Sequence, residues 1–460
     1  VSLNDVTAKD ATLKNLAEDL GNFRVPRYTS YPSAPHFHKG IDADIYQKWL
    51  QELPANINLS LYLHIPFCEE MCYFCGCHTK ITKHYKPIAE YSKQLIKEIK
   101  LAANNINQQE VAHIHFGGGS PTMLHGEDFS DLMQEIRNNF IIKADAEIAV
   151  EMDPRTLDAE KIAHYAACGV NRASLGVQDF DAKVQTAINR IQPYEMVKTC
   201  VDNLRKVGID KLNIDLIYGL PLQTEENFLL TMEKVLSLNP NRLSLFGYAH
   251  VPWMKKHQTL IDETTLPNAE QRFALFNLAS EFFCTHGYVA IGLDHFARAD
   301  DDMSIAAQEQ KLHRNFQGYT TDSANALLGF GVSAISALPQ GYTQNTSNAT
   351  EYKHSISENN LPIIRGICLS DEDRLRAAII EELMCHLQVD LDKIAQKFER
   401  KAEHFNYELS ALSKLAEKNY VTLNNNIISI PNNARVAMRV VAAVFDEYLR
   451  LSEGKHSKAI

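Results

Sequence analysis

Long apolar runs are what this chain most plainly lacks. No stretch approaches the roughly 20 consecutive apolar residues that span a bilayer, so the sequence offers no membrane segment. It is also short of positive charge: 46 Lys and Arg against 57 Asp and Glu leave a formal net charge of −11. That balance argues against bulk nucleic-acid binding, which relies on basic side chains to neutralise phosphates. An anionic substrate would need a local basic pocket. The first 20 residues, "VSLNDVTAKDATLKNLAEDL", lack the basic start and apolar core of a signal peptide. No coiled-coil heptads stand out, so a monomer is expected. A disulfide framework is missing too. The cysteines number nine, and Cys168, Cys200, Cys284, Cys368 and Cys385 are scattered singly, a pattern that fits no set of bridges. These five read as buried small hydrophobes, and the cytoplasm is the expected compartment.

What is present is a regular alternation. From about residue 58, β-like runs ("LSLYLHI", "VAHIHFG", "EIAVEM", "RASLGV", "KLNIDLIYG", "RLSLFGY") are separated by amphipathic helical stretches. One helical stretch carries Ile88, Tyr91, Leu95 and Ile99 on a single face. Such succession implies right-handed crossovers and a parallel sheet. Six units predict an α/β fold, an open partial (β/α)6 barrel whose functional groups gather at the carboxyl ends of the strands. Along the first strand, Tyr62 and His64 share the face that looks into the barrel, opposite Leu61, Leu63 and Ile65. The chain divides, on this reading, into an N-terminal arm (1–45), the barrel (46–295), a connecting segment that completes the active site (296–365) and a mainly helical C-terminal domain (366–460). The arm contains "NFRVPRYTSYPSAPHFHKG", a poor helix or strand, expected to lie over a surface or a site. The last domain has helices, a hairpin-like "NYVTLNNNIISI" and a final helix with Val436, Val440, Val444 and Tyr448 on one stripe. Its balanced charge suits a packing or lid domain better than a DNA reader.

Four cysteines crowd one loop, "LYLHIPFCEEMCYFCGCHTKIT": Cys68, Cys72, Cys75 and Cys77. A structural zinc site usually draws two separated ligand pairs, and no second pair is evident, although His64 or His78 would complete a set. A thioredoxin-like Cys72–Cys75 pair leaves Cys68 unexplained. Ferredoxin spacing is not met. A C-x3-C-x2-C loop that holds three irons of a [4Fe-4S] cluster and leaves the fourth open fits best. This spacing, with Phe74 before the third cysteine and "GGGSP" after the second strand, resembles the radical S-adenosylmethionine superfamily. There, the resemblance implies, the cofactor's amino and carboxylate groups chelate the open iron and its sulfonium is cleaved reductively. Glycines at that turn let backbone approach a ligand closely.

The stretches "RYTSYPSAPHF", "FGGGSPT", "EMDPRT", "SLGVQDF", "NIDLIYGLP", "GLDHFARADD", "LHRNFQGYTT" and "LLGFGVSAIS" extend the resemblance almost end to end, to the oxygen-independent coproporphyrinogen III oxidases. The family pattern makes Cys68, Cys72 and Cys75 the cluster ligands. It places Tyr62, Phe74, Gly118, Gly119, Ser120, Glu151, Gln178, Arg190, Asp215, Ala249 and Ile335 around S-adenosylmethionine, two molecules of which are consumed per turnover. Ser120 stands where the family more often has Thr, keeping the hydroxyl. Cys77, Tyr62 and His64 are the expected catalytic side chains, with a packing role for Cys77 the alternative. The implied reaction takes a hydrogen from the β-carbon of a porphyrinogen propionate, then releases CO2 and one electron to leave a vinyl group. It happens twice, turning coproporphyrinogen III into protoporphyrinogen IX in haem biosynthesis. A flavodoxin- or ferredoxin-like electron donor and a separate acceptor are implied partners. Arg24, Arg27, Arg298, His313 and Arg314 are candidates to face the mouth and clamp propionates. Two rival readings remain: a related haem-binding radical enzyme that carries or degrades haem, and a non-enzymatic iron–sulfur or zinc scaffold.

Overall fold

The structure is a computed structural model that describes residues 25–107 and 109–451; Arg24 lies outside them. Its centre is a twelve-stranded sheet. Six strands follow the expected alternation: β1 (Asn58–Ile65), β2 (Glu110–Gly118), β3 (Ile141–Met152), β4 (Arg172–Gln178), β5 (Lys211–Tyr218) and β6 (Arg242–Gly247). They pair in parallel, each with the next. Beyond them lie β7 (Tyr288–Ile291), β8 (His295–Arg298), β9 (Ala326–Phe330), β10 (Ile335–Leu338), β11 (Gly341–Asn345) and β12 (Ile363–Cys368). The spatial order is β12-β11-β10-β9-β1-β2-β3-β4-β5-β6-β8-β7. β9 is thus a seventh parallel strand, on the free side of β1, and an antiparallel meander extends the sheet past it. On the other side β8 runs antiparallel to β6. The sheet stays open, with helices packed on its outer face.

The pattern of β1 shows why the strands sit as they do. Leu61, Leu63 and Ile65 are at most 1 % exposed in the main core, while Tyr62 and His64 turn to the concave side, joined by a hydrogen bond. The helix Lys86–Ala103 buries Ile88, Tyr91, Leu95 and Ile99 as its spacing predicts,.

The C-terminal part has its own core, which includes Leu375, Leu383, Phe405, Met438 and Phe445. Two arm residues, Tyr28 and Tyr31, belong to that core as well, so the arm ties the C-terminal part to the barrel. The hairpin expected in "NYVTLNNNIISI" pairs Thr422–Asn424 with Ile427–Ser429. Asn425 and Asn426 take φ of 47° and 64° at its turn, the doubly positive conformation that two-residue hairpins favour and Asn tolerates. The final helix is not continuous. It breaks after Ala443, and Asp446 opens a new helix by accepting from Leu449 N at 3.0 Å. Among the isolated cysteines, Cys168, Cys200 and Cys385 are buried, but Cys284 and Cys368 are exposed, a correction to the expectation for all five. Both lie in the last residues of their elements, where side chains meet solvent.

Candidate active site

The cysteine loop leaves β1 and is pinned on every side. At its base Phe67–Cys68 pairs with Lys80–Ile81. Tyr73 N donates to Ile188 O at 2.9 Å, and Asn189 Nδ2 to Met71 O at 2.9 Å. The segment after β6 covers the far side: His257 Nε2 donates to Cys75 O at 2.7 Å, Lys255 Nζ to Cys77 O at 2.9 Å and Gln258 Nε2 to Phe74 O at 3.1 Å. A loop so held presents its thiols in fixed directions.

Against it stands the glycine turn that ends β2. Gly119 N donates to Ile65 O and Ser120 N to Phe67 O, both at 2.8 Å. A Cβ on Gly119 would stand 2.7 Å from Phe67 O, so only glycine allows this approach. Gly118 has a φ of +116°, and a Cβ there would strike the His64 ring. The Ser120 hydroxyl pairs with that of Thr122 at 2.6 Å.

The cleft between loop and turn, open to solvent on one side, spans about 770 Å³. All four loop cysteines line it, together with Phe74, Gly118, Gly119, Ser120, Glu151, Gln178, Arg190 and Asp215. The carboxyl ends of β1 to β5 therefore meet at one place. Tyr62 and His64 lie just below. Ala249 and Ile335 do not line this cleft: Ala249 O accepts from Gln258 Nε2 at 3.2 Å, and Ile335 packs on Gly329, the register partner of Tyr62.

The charges are arranged around one buried carboxylate that sequence reasoning missed. Asp153 binds Arg155 Nη2 at 2.7 Å and Arg190 Nη1 at 3.2 Å. Each guanidinium also donates to Cys72 Sγ, at 3.5 Å. Burial opposes ionisation of Asp153, but Arg190 and Arg155 outweigh it and hold the carboxyl at about 2,. The signal was available in "EMDPRT", where Asp and Arg two apart bracket a proline beside Glu151. Burial and the neighbouring thiols push Cys68 up to about 12. The Cys77 thiol hydrogen-bonds Cys75 and lowers it. His64 is held at about 4 by burial; Nε2 donates to His78 O at 3.1 Å, leaving Nδ1 to accept from Tyr62 OH at 3.0 Å. Asp215 is raised by burial and by Glu151.

These residues fit an iron–sulfur cluster with an adenosyl ligand. Three thiols on a pinned loop face a cleft, two guanidiniums meet one of them, and Arg190 Nε is buried without a partner. The glycine turn leaves backbone where a Cβ would otherwise intrude. Among the described residues no three His, Cys, Asp or Glu side chains gather around a single point as one metal ion requires. A cubane instead spreads its thiolates over separate irons.

Of the basic residues expected at the mouth, Arg298 is a correction. It closes β8, which runs antiparallel, so it sits at the opposite rim, where its N donates to Asn241 O and Nη1 to Asn239 Oδ1. His313 is engaged by Glu381 at 3.1 Å, whose hydrogen bond raises its pKa. Arg27 and Arg314 lie together beside Tyr28.

Comparison with known proteins agrees with this geometry. Residues 62–235 match the radical SAM superfamily and residues 369–436 the HemN C-terminal domain. An oxygen-independent coproporphyrinogen III oxidase of Bradyrhizobium diazoefficiens is 49% identical over 451 residues, covering 97% of this chain and 99% of that protein. Its Escherichia coli namesake is 39% identical over 430 residues, covering 93% and 94%. The solved structure of coproporphyrinogen III oxidase (HemN) from Escherichia coli, a radical SAM enzyme, superposes with a TM-score of 0.89 at 38% identity. It covers 93% of this chain and all of that one. With near-complete overlap in sequence and fold, this chain belongs to the oxygen-independent coproporphyrinogen III oxidase family of the radical SAM superfamily.

Proposed function

We infer that the chain is an oxidoreductase that converts two propionates of coproporphyrinogen III to vinyl groups, giving protoporphyrinogen IX without oxygen. The observation that carries this is the meeting, in one cleft, of the pinned three-cysteine loop and the glycine turn. In this reading Cys68, Cys72 and Cys75 hold three irons of a [4Fe-4S] cluster. Bound together, cluster and S-adenosylmethionine supply one-electron cleavage of a sulfonium and, from it, hydrogen abstraction at carbon. The protein's part is to orient and shield. Backbone at Gly118–Ser120 would receive the cofactor's amino group, Glu151 and Asp215 would accept from its ammonium or hydroxyls, Gln178 would hydrogen-bond, and Arg190 would hold its carboxylate. Phe74 would supply packing within the cleft, while Ala249 and Ile335, outside its lining, would back it through Gln258 and through Gly329 beside Tyr62.

The neutral Tyr62–His64 pair, at the cleft floor, is positioned to hold or pass a proton. Cys77 stands beside the cluster loop as a further catalytic thiol. We extend the reading to a monomer in the cytoplasm, reduced by a flavodoxin- or ferredoxin-like donor. Its nine free cysteines suit a reducing compartment,. Among the described residues no helix is long and apolar enough to cross a membrane.

Anaerobic reconstitution tests the reading. It predicts four irons per chain, S-adenosylmethionine cleavage on reduction, and a divinyl product from coproporphyrinogen III. Cleavage without that product would instead favour a haem-handling relative.

A further inference from the structure

We propose that the segment 249–261, which clasps the cysteine loop, is the docking face for a small acidic one-electron carrier protein. The assignment rests on the function inferred above. Three side chains of the segment hold the loop by its backbone: Lys255 donates to Cys77 O at 2.9 Å, His257 to Cys75 O at 2.7 Å and Gln258 to Phe74 O at 3.1 Å. The buried Gln258 also accepts from Val251 N at 2.6 Å, and Met254 N and Lys255 N both donate to Val251 O. The clasp is therefore a braced turn with Trp253 and Met254 at its tip.

That tip is apolar and uncovered. Trp253 is 61 % exposed, Met254 67 % and Leu260 60 %. Among the described residues, only Tyr407 joins them as a large apolar side chain at 60 % or more. Such exposure gathered on one short segment marks an interaction surface, and Trp and Met are enriched where proteins meet.

The surrounding charge says what kind of partner fits. The segment, "AHVPWMKKHQTLI", and the part of the loop it clasps, 71–84 or "MCYFCGCHTKITKH", contain no Asp or Glu but include Lys80, Lys83, Lys255 and Lys256. The whole chain has 57 acids to 46 bases. Neighbouring acids are engaged elsewhere. Glu70 lies 4.0 Å from Arg155 Nη1 and Glu69 bears on Lys161, both toward the β3 side of the loop. Asp262 accepts from Thr264 N, and Glu263 binds His250 Nε2 at 3.0 Å. An acidic protein is repelled by the molecule at large and attracted to this face, which steers its approach.

The face also lies where an electron must enter. Cys72 is buried, whereas Cys75 is half-buried and Gly76 and Cys77 are exposed, so the clasp meets the loop at its outer edge. Each S-adenosylmethionine cleaved takes one electron. The carrier loses it, the cluster gains it, and no covalent bond changes at the surface. A carrier seated on Trp253 is two and four residues along the chain from Lys255 and His257, which touch the loop.

The test uses reconstituted full-length enzyme with Trp253→Ala, Lys256→Glu and, as control, Ile141→Ala. Trp253 and Lys256 are exposed, so their variants keep the fold; Ile141 is also exposed but opens β3, at the opposite rim. The probes are flavodoxin and ferredoxin. Calorimetric titration of the oxidised carriers should show Kd raised about tenfold by Trp253→Ala, the loss of an interface anchor. Lys256→Glu should weaken binding by a factor that shrinks as salt is added. Cluster reduction by limiting reduced carrier should slow in parallel, while dithionite-driven product formation stays at the wild-type rate. Ile141→Ala should match wild type throughout. Wild type that binds neither carrier, or variants that bind them as tightly as wild type, would overturn the proposal and leave the inferred function standing. Slower turnover or a raised KM for coproporphyrinogen III under dithionite would also overturn it, because the tip would then serve the substrate or the cluster directly. A wild-type chain that cleaves no S-adenosylmethionine with dithionite would instead remove that function.

Discussion

At the residue scale, the site depends on how one buried carboxylate aims two arginines at a thiol. Asp153 has its pKa depressed, so its stabilising contribution is complete above the unfolded value of roughly 4 and fades as pH falls through about 2. Asp153→Asn should cost about 3–5 kcal/mol at neutral pH, because Arg190 and Arg155 lose their buried counter-charge. Urea denaturation at pH 7 measures this, and wild type should converge toward the variant near pH 2. The cysteines divide differently. Serine at Cys68, Cys72 or Cys75 should abolish reconstituted iron. Cys77→Ser should keep the iron but lose divinyl product, as iron analysis and product chromatography would register together. Cys77 could be singled out from spacing, whereas "EMDPRT" shows only the local pairing of Asp153 with Arg155. The importance of Asp153 comes from Arg190, 37 positions along the chain, and no local pattern announces that partnership.

At the element scale, the glycine turn is the part least able to change. Gly119→Ala would drive a methyl into backbone at Phe67, a contact that no rotamer change relieves. Overpacking of this kind costs about 1–3 kcal/mol. It should also lower S-adenosylmethionine affinity, readable by equilibrium dialysis. A second join lies behind β1. Glu98 accepts from Gly331 N at 2.7 Å, Tyr352 OH at 2.6 Å and Asn345 Nδ2 at 2.6 Å, and burial raises it to about 7. The folded state therefore holds a proton that the unfolded chain releases near pH 4. Stability from this group declines as pH rises from about 4 to 7. Glu98→Gln should flatten that decline in denaturation midpoints taken across the interval.

The six parallel strands could be read because each alternates sides and is followed by a helical period. β9 could not. "ALLGF" is buried at all five positions, and a continuous apolar run carries no period that separates strand from helix. Arg298 was misjudged for a related reason. A motif in sequence does not reveal that β8 runs backwards, and that reversal carries its last residue to the other rim.

At the scale of the whole molecule, the arm fastens barrel and C-terminal part together. Tyr28 donates to Asp446 Oδ2 at 3.0 Å and sits in the C-terminal core. Arg376 meets Glu408 and Glu447, each at 3.0 Å, beneath it. Tyr28→Ala should cost about 3–5 kcal/mol, the usual loss for a buried aromatic. Calorimetry should show the two parts unfolding less cooperatively.

The central claim is that three loop thiols leave one iron open to an adenosyl sulfonium. The direct measurement is the stoichiometry of the anaerobically reconstituted, dithionite-reduced chain supplied with coproporphyrinogen III. The account predicts four irons and four sulfides per chain, and two S-adenosylmethionines cleaved for each protoporphyrinogen IX formed. A chain that takes up zinc in place of iron, or assembles the cluster yet leaves the sulfonium intact, would contradict it.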